Sequence, residues 1–381
     1  MSKFVVSARK YRPTKFEDVI GQAHIANTLK NAIQTSQLAH AFLFCGPRGV
    51  GKTTCARILA KVINCQNPLD KVEPCNQCAS CKSFNENASF NIFELDAASN
   101  NSVEHIRTLI EQVRFQPQHG THKVFIIDEV HMLSSQAFNA FLKTLEEPPS
   151  YAIFILATTE KHKILPTILS RCQIFDFKRI QPKDVMVQLE MICKAENRIA
   201  ETEALHLIAT KADGAMRDAL SIFDRIASSS SGDITYKDAV ANLNVLDYEY
   251  YFRIVDAILR SDLTDIFLIL DEIIKNGFDP ELVVQGLGEH IRELLIAKDS
   301  QTLHLMECSD QLKLRYLHQS KLCNSSFLLS ALDLLNQCDI HLPKAKNKRL
   351  YVEICLSKLT YLQNLRSVEI FGTPVGEEKK N

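Results

Sequence analysis

The stretch Ala41-Phe42-Leu43-Phe44-Cys45-Gly46-Pro47-Arg48-Gly49-Val50-Gly51-Lys52-Thr53-Thr54, continuing to Ile63, decides the fold. Five consecutive apolar residues read as a strand buried on both faces, Gly46 to Thr53 match G-x-x-x-x-G-K-[ST], and Thr53 to Ile63 carry helical spacing. Strand, loop and helix in that order make a phosphate cradle: glycines let the backbone curl its N–H groups toward phosphate oxygens, and the helix N-terminus adds partial positive charge. Gly46, Pro47, Arg48, Gly49, Val50, Gly51, Lys52, Thr53 and Thr54 are the candidate nucleotide-binding set. Lys52 would reach the β- and γ-phosphates of ATP, and Thr53 would ligate Mg²⁺. Alone, the loop establishes nucleotide binding and no more.

Working outward, further short apolar runs stand at Ile92 to Leu95, Val124 to Ile127, Ala152 to Ala157 and Ile174 to Phe177, separated by stretches long enough for helices. They predict a five-stranded parallel sheet with helical crossovers. Val124 to Ile127 end in Asp128-Glu129, a buried strand carrying two carboxylates at its tip: Asp128 to hold a Mg²⁺-bound water, Glu129 to polarise the water that attacks the γ-phosphate. With the phosphate loop, these acids suggest hydrolysis as well as binding. Thr158 and Thr159 close the next strand, where a polar side chain can sense the γ-phosphate, although threonines at strand ends are common. Arg171, in Ser170-Arg171-Cys172, is placed either as an ordinary surface arginine or to project toward a neighbouring subunit's γ-phosphate.

Beyond Arg179 the strand-like runs stop. Val185 to Arg198, Glu203 to Ala212 and Met216 to Ala227 show helical periodicity, Ser228 to Asp233 reads as a loop, and Asp247 to Tyr251 as a junction into a further helical region. Inside that region Asn276-Gly277 marks a helix end and Asp279-Pro280 an N-cap followed by proline at the first helical position. Arg217 lies in the first turn of its helix, where a cation works against the helix dipole and so calls for a reason. The expected division is 1–180 for the α/β nucleotide domain, 181–243 and 244–368 for two helical domains, and 369–381 for a polar tail.

Four of the twelve cysteines cluster: Cys65, Cys75, Cys78 and Cys81, spaced C-x9-C-x2-C-x2-C in a polar segment. Four thiolates suit a closed tetrahedral Zn²⁺ site that pins a loop without a hydrophobic core, and leave no open position for catalysis. An iron–sulfur cluster or a redox group is the alternative. The other eight, Cys45, Cys55, Cys172, Cys193, Cys308, Cys323, Cys338 and Cys355, stand singly, most in apolar surroundings that suit buried thiols.

The first ten residues hold too short an apolar stretch for a signal-peptide core, and no window approaches the roughly 18 apolar residues of a membrane span, so a cytoplasmic protein with no membrane contact is expected. With 46% apolar and 23% charged residues, the 381-residue chain is neither disordered nor fibrous. Its net charge of −1 conceals two opposite parts: residues 1–180 hold 21 Lys+Arg against 15 Asp+Glu, residues 181–381 hold 23 against 30. A modestly basic nucleotide domain suits a surface that tracks DNA, and an acidic helical part suits assembly.

The residues are more specific than a general ATPase. Ala8-Arg9-Lys10-Tyr11-Arg12-Pro13, Phe16 to Gln22, the four-cysteine insert, Asp128-Glu129-Val130-His131-Met132-Leu133, Lys143 to Pro149 and Ser170-Arg171-Cys172 together resemble the gamma/tau subunits of bacterial DNA polymerase III, from about residue 5 to 225. The resemblance implies an AAA+ module, a helical lid and a helical collar through which subunits assemble into a clamp loader. By it, Arg171 is the arginine finger, Arg217 the lid arginine, Thr158 or Thr159 the first sensor, and Ala8 to Pro13 with Val19 and Ile20 the strip bordering the adenine. The implied cofactors are ATP, Mg²⁺ and structural Zn²⁺. The implied partners are delta- and delta-prime-type subunits, further copies of this chain, the sliding clamp and primed DNA. The family's long form also engages the polymerase and the replicative helicase through an extension, contacts left open for a chain ending at Asn381. Synthesis belongs to the holoenzyme, since no separate nucleotidyl-transfer site is present. A ring helicase or branch-migration motor, and a nucleotide-binding scaffold without turnover, are the rival classes.

Overall fold

The apolar runs become five strands, β1 (Ala41–Cys45), β2 (Ile92–Asp96), β3 (Lys123–Asp128), β4 (Ala152–Thr158) and β5 (Gln173–Asp176). They form one all-parallel sheet in the order β2-β3-β4-β1-β5. The computed structural model describes residues 5–369 other than 87, 101, 102, 118, 119, 231, 244, 307 and 309. The polar tail expected at the C-terminus lies, from 370 on, outside the described residues.

Register determines where the chemistry falls. Cys45 pairs with Thr158 and Ile127 with Leu156, so the loop after β1, the acids ending β3 and the threonines ending β4 reach one carboxyl edge of the sheet. Side chains alternate across it. Phe42 and Phe44 enter a core with Ile25 and Leu29 of the helix Ala23–Gln34 and with Ile58 and Leu59 of the helix Lys52–Ile63. Ala41 and Leu43 face the opposite core, with Ile106 of Val103–Val113 and Phe141 of Ser135–Glu146. Both faces of the central strands β3, β4 and β1 are therefore covered, which is why these read as continuous apolar runs, whereas the edge strands β2 and β5 carry Glu94 and Asp176 and are more exposed. This is the AAA+ type of P-loop sheet, with the four-cysteine segment inserted after the loop helix and helices following.

Helices Pro182–Ala195, Thr202–Lys211 and Met216–Ser229 follow in the same compact unit, which runs to Thr235. The first begins three residues earlier than the periodicity predicts, because Pro182 supplies its first turn. The third extends two residues into the serine tract. Arg198 Nη1 donates to the carbonyl of Ala227 at 2.9 Å, a cation at that helix's C-terminal end.

The second unit starts at Tyr236. Its helices are Tyr236–Leu243, Tyr248–Leu259, Leu263–Lys275, Pro280–Ile296, Asp310–Leu322, Ser325–His341 and Lys348–Glu369. The caps are those the sequence predicts: Asp279 accepts from Glu281 N with Pro280 at the first position, and Gly277 (φ +88°) follows the Leu263–Lys275 helix. Ile254, Ile269, Leu287, Leu328 and Leu356 share its core. Among the described residues no helix is long and apolar enough to cross a membrane.

Candidate nucleotide-binding and metal sites

Two glycines of the loop are required by crowding. A Cβ on Gly46 would stand 2.5 Å from the Phe177 carbonyl oxygen, and one on Gly49 (φ +78°) 2.9 Å from the Ala215 Cβ. The second contact joins the loop to the helical part of the same unit, as does Arg217 N donating to Gly49 O at 3.4 Å. The backbone of Arg217, at the start of Met216–Ser229, thus lies against the phosphate loop.

Lys52 is buried, and its Nζ donates to the carbonyls of Gly46 (2.7 Å) and Pro47 (2.8 Å) inside the loop. Burial holds its pKa below the usual lysine value, with Glu129 and Asp128 pulling the other way. Thr53 Oγ1 donates to Asp128 Oδ2 at 2.6 Å, so both residues expected to hold Mg²⁺ are in contact. Oxygen donors of this kind, a hydroxyl and a carboxylate, fit a magnesium ion that keeps several of its waters.

Glu129 sits in left-handed backbone (φ 47°, ψ 45°), directly after β3. Its Oε2 accepts from Thr159 Oγ1 (3.0 Å) and Thr159 N (3.2 Å), and lies 3.5 Å from His131 Nδ1. Thr158 is different. It is fully buried, its hydroxyl within 3.0 Å of His131 Nδ1 and accepting from Glu160 N. Of the two threonines, Thr159 is the one on the carboxylate.

His131, which the sequence reading leaves without a role, joins this group: its Nε2 stands 3.0 Å from Glu160, itself paired with Lys163. Its signal was only its place two residues after Glu129. Arg12 belongs to the strip expected to border the adenine. Its Nε donates to Thr54 Oγ1 at 3.4 Å, and although its side chain is exposed, desolvation beside the loop helix and the charges of Arg57 and Arg217 lower its pKa, so three cations neighbour that helix. Lys10 and Tyr11 of the same strip bond Glu196, each at 2.5 Å. Arg171 does not join the loop residues. Its guanidinium contacts Glu146 (2.8 Å), the Thr167 carbonyl (2.6 Å) and Ser170 within its own neighbourhood, and its side chain is about one-third exposed.

The four clustered cysteines converge, with all Sγ atoms within 4.8 Å of one another. Cys65 Sγ lies 3.4, 4.0 and 3.7 Å from those of Cys75, Cys78 and Cys81. Four sulfurs at about 2.3 Å from one zinc stand about 3.8 Å apart, so the set fits a single tetrahedral ion. A multi-iron cluster gives its cysteines to different irons and spreads them wider. Backbone N–H donation, chiefly from Gln77, lowers the Cys75 thiol to about 6, while burial raises Cys81. The segment is less core-free than its composition suggests: a short helix, Ala79–Asn85, rises within it, and Val72, Cys81 and Phe84 are buried. Of the eight single cysteines, six are buried and Cys172 and Cys308 are partly exposed.

Three family models match the chain. That of the DNA polymerase III delta subunit covers residues 21–181, that of the clamp-loader subunit ATPase lid domain 184–232, and that of domain III of the gamma and tau subunits 234–369. Curated relatives include the DNA polymerase III subunit tau of Bacillus subtilis, 40% identical over 92% of this chain and 62% of that protein. The tau subunit of Escherichia coli is 41% identical over 75% of this chain and 44% of its own length. The gamma subunit of Buchnera aphidicola is 38% identical over 80% of this chain and 83% of that protein. The chain thus spans between 44% and 62% of the length of these tau relatives. Among solved structures, the Thermotoga maritima RuvB branch-migration motor superposes with a TM-score of 0.47 at 19% identity over 65% of this chain and 79% of that one, a likeness that carries no weight for function.

Proposed function

Since the chain belongs to the gamma/tau family of DNA polymerase III subunits, we propose that it is an ATP-hydrolysing clamp-loader subunit that places a sliding clamp on primed DNA. The observation that carries the catalytic part is the pair of contacts at one sheet edge: Thr53 on Asp128, and Thr159 on Glu129, beside the buried Lys52.

In this reading Gly46 to Thr54 wrap the phosphates of ATP, and Lys52 exchanges its two carbonyl contacts for phosphate oxygens. Thr53 and Asp128 hold Mg²⁺, which when bound neutralises phosphate charge. Glu129 orients and takes the proton of the attacking water, positioned by Thr159 as the γ-phosphate sensor. Arg217 reads the bound nucleotide from the lid. Arg171 acts on the nucleotide of a neighbouring copy. The cysteine module holds Zn²⁺ structurally.

The three-part division, 1–180, 181–243 and 244–368, is proposed with one adjustment: the second compact unit opens at Tyr236, which favours starting the collar there. Delta- and delta-prime-type subunits, further copies, the clamp and primed DNA are the proposed partners, and the cytoplasm the proposed compartment.

The test is reconstitution: purify the chain with the clamp and the other loader subunits and measure ATPase with and without primed DNA. DNA-stimulated turnover that Lys52→Ala abolishes is the expected result. Full loading by Lys52→Ala would sink the mechanism, and strand unwinding by the isolated chain would favour a motor instead.

A further inference from the structure

The cysteine module reaches beyond its own sulfurs through one residue. Leu69 and Glu73 form an isolated antiparallel bridge, closed by a tight turn in which Asp70 (φ 47°) and Lys71 (φ 65°) both take left-handed backbone and Val72 N donates to Leu69 O at 3.0 Å. Two successive positive-φ residues make the primed turn whose twist suits a hairpin. Glu73 leaves that hairpin two residues before Cys75 and is itself buried, at 5% exposure. Its Oε2 accepts from Phe16 N at 2.8 Å, and its Oε1 ion-pairs with Lys30 Nζ at 2.7 Å.

Phe16 opens a single turn, Phe16–Asp18, capped by Val19. Phe16 is 1% exposed, and both Phe16 and Val19 pack in the core that also holds Val50 and Ile58. Val19 Cγ1 is the neighbour that a Cβ on Gly51 would meet, at 3.6 Å. A chain of contacts therefore runs from the cysteine knot through Glu73 to Phe16 and Val19, and ends against the glycine preceding Lys52. A buried carboxylate is costly unless its partners stay in place. The hydrogen bond from Phe16 N and the ion pair with Lys30 persist only while the turn Leu69–Glu73 is held at this position, two residues before Cys75.

We propose that Glu73 is a positioning residue for the nucleotide site, through which the cysteine-held module fixes the segment Phe16–Val19 against the phosphate loop. The proposal rests on the nucleotide-site reading above. Loss of the ordered module then weakens nucleotide binding by displacing Phe16–Val19, with no change to any residue of the phosphate loop itself.

The test uses the full chain purified with zinc. Glu73→Ala and Glu73→Gln are compared with wild type by zinc content, by titration with a fluorescent ATP analogue, and by amide hydrogen exchange over residues 14–22. Glu73→Ala should keep one zinc per chain, bind the analogue about tenfold more weakly, and exchange at least tenfold faster at Phe16–Val19. Glu73→Gln keeps an acceptor for Phe16 N and should fall between the two. Zinc removal from wild type by a chelator should reproduce the loss, whereas removal from Glu73→Ala should add little to it. Wild-type affinity and exchange in both variants would overturn the proposal, as would equal loss on chelation in wild type and Glu73→Ala. If wild type binds no nucleotide, the reading of the site fails, and the exchange comparison alone still decides whether Glu73 holds Phe16.

Discussion

Thr159 holds the Glu129 carboxylate twice, through its hydroxyl at 3.0 Å and its backbone N–H at 3.2 Å, both on Oε2. Donors on one oxygen fix the carboxylate's orientation and leave the other oxygen to meet water. Replacing the hydroxyl alone should therefore disturb orientation, and replacing the acid should remove the base. Thr159→Val is expected to lower kcat about tenfold, about 1.4 kcal/mol of barrier, with KM for ATP little changed. Glu129→Gln is expected to lower kcat by about 10² to 10³ with nucleotide binding intact. Steady-state ATPase of the reconstituted loader on primed DNA measures both. A Thr159→Val enzyme with normal kcat and raised KM would assign that hydroxyl to ground-state binding.

Zinc content is the second expectation. The sulfur separations fit one ion, and Cys75 is already lowered to about 6 by backbone N–H donors, so thiolate forms there at neutral pH without much cost. Elemental analysis should find one zinc per chain. Cys75→Ala should reduce this below one-tenth and lower the unfolding temperature by several degrees, because the metal ties Cys65, at the end of the loop helix, to the segment that carries the other three ligands. Four freely titrating thiols in the purified protein, with no metal, would contradict the site.

The second unit carries a pH dependence of its own. His290 is 2% exposed, its Nε2 lies 2.8 Å from Gln319 Oε1, and its ring meets Phe252 edge-on with centroids 4.5 Å apart. Because Gln319 Oε1 can only accept, Nε2 carries the proton and the neutral ring leaves Nδ1 bare. Burial, aided by the charge of Arg315 and opposed by Gln319, lowers the His290 pKa to about 4. The unfolded chain, with an ordinary histidine near 6.5, binds the proton first. Stability should fall as pH drops from about 6.5 to 4, with a slope of at most about 1.4 kcal/mol per pH unit from this group, and its contribution should level off below 4. Denaturant unfolding of wild type and His290→Gln across this range tests it. The difference between the two should shrink on acidification, and a constant difference would show that His290 does not titrate as stated.

The middle of the sheet was legible because burial on both faces writes β1, β3 and β4 as uninterrupted apolar runs, and β1 begins and ends where the run Ala41 to Cys45 does; the exposed edge strand β5 is set one residue earlier than its run, at Gln173–Asp176. The loop residues were legible because glycine and lysine spacing reports backbone chemistry directly. Pairings between distant segments were not. Glu73 looks like any acid in a polar stretch, and its burial depends on Phe16 and Lys30, more than forty positions upstream. Thr158 and Thr159 are adjacent and identical in type, and only the end of β4 between them, with Thr158 the last strand residue on His131 and Thr159 in the following bend on Glu129, separates them. The short helix Ala79–Asn85 was hidden because its cysteine and polar residues mask the apolar contribution of Phe84.

Arg171 offers the sharpest test of action between subunits. Its guanidinium is oriented by Glu146 and the Thr167 carbonyl and makes no contact with Lys52, Thr53 or Asp128. A residue placed this way has no means of supporting nucleotide binding in its own chain, yet one-third of its side chain is open to a neighbour. Arg171→Ala should bind ATP within about twofold of wild type, while DNA-stimulated turnover in the assembled loader falls by about 10³, the scale of an arginine supplied in trans. Glu146→Gln, which removes one orienting partner, should give a smaller loss. Mixing settles direction: Arg171→Ala chains combined with Lys52→Ala chains should regain turnover wherever an intact Arg171 faces an intact Lys52 across the interface. If the mixture stays inactive, or if isolated Arg171→Ala loses nucleotide binding, Arg171 acts within its own chain.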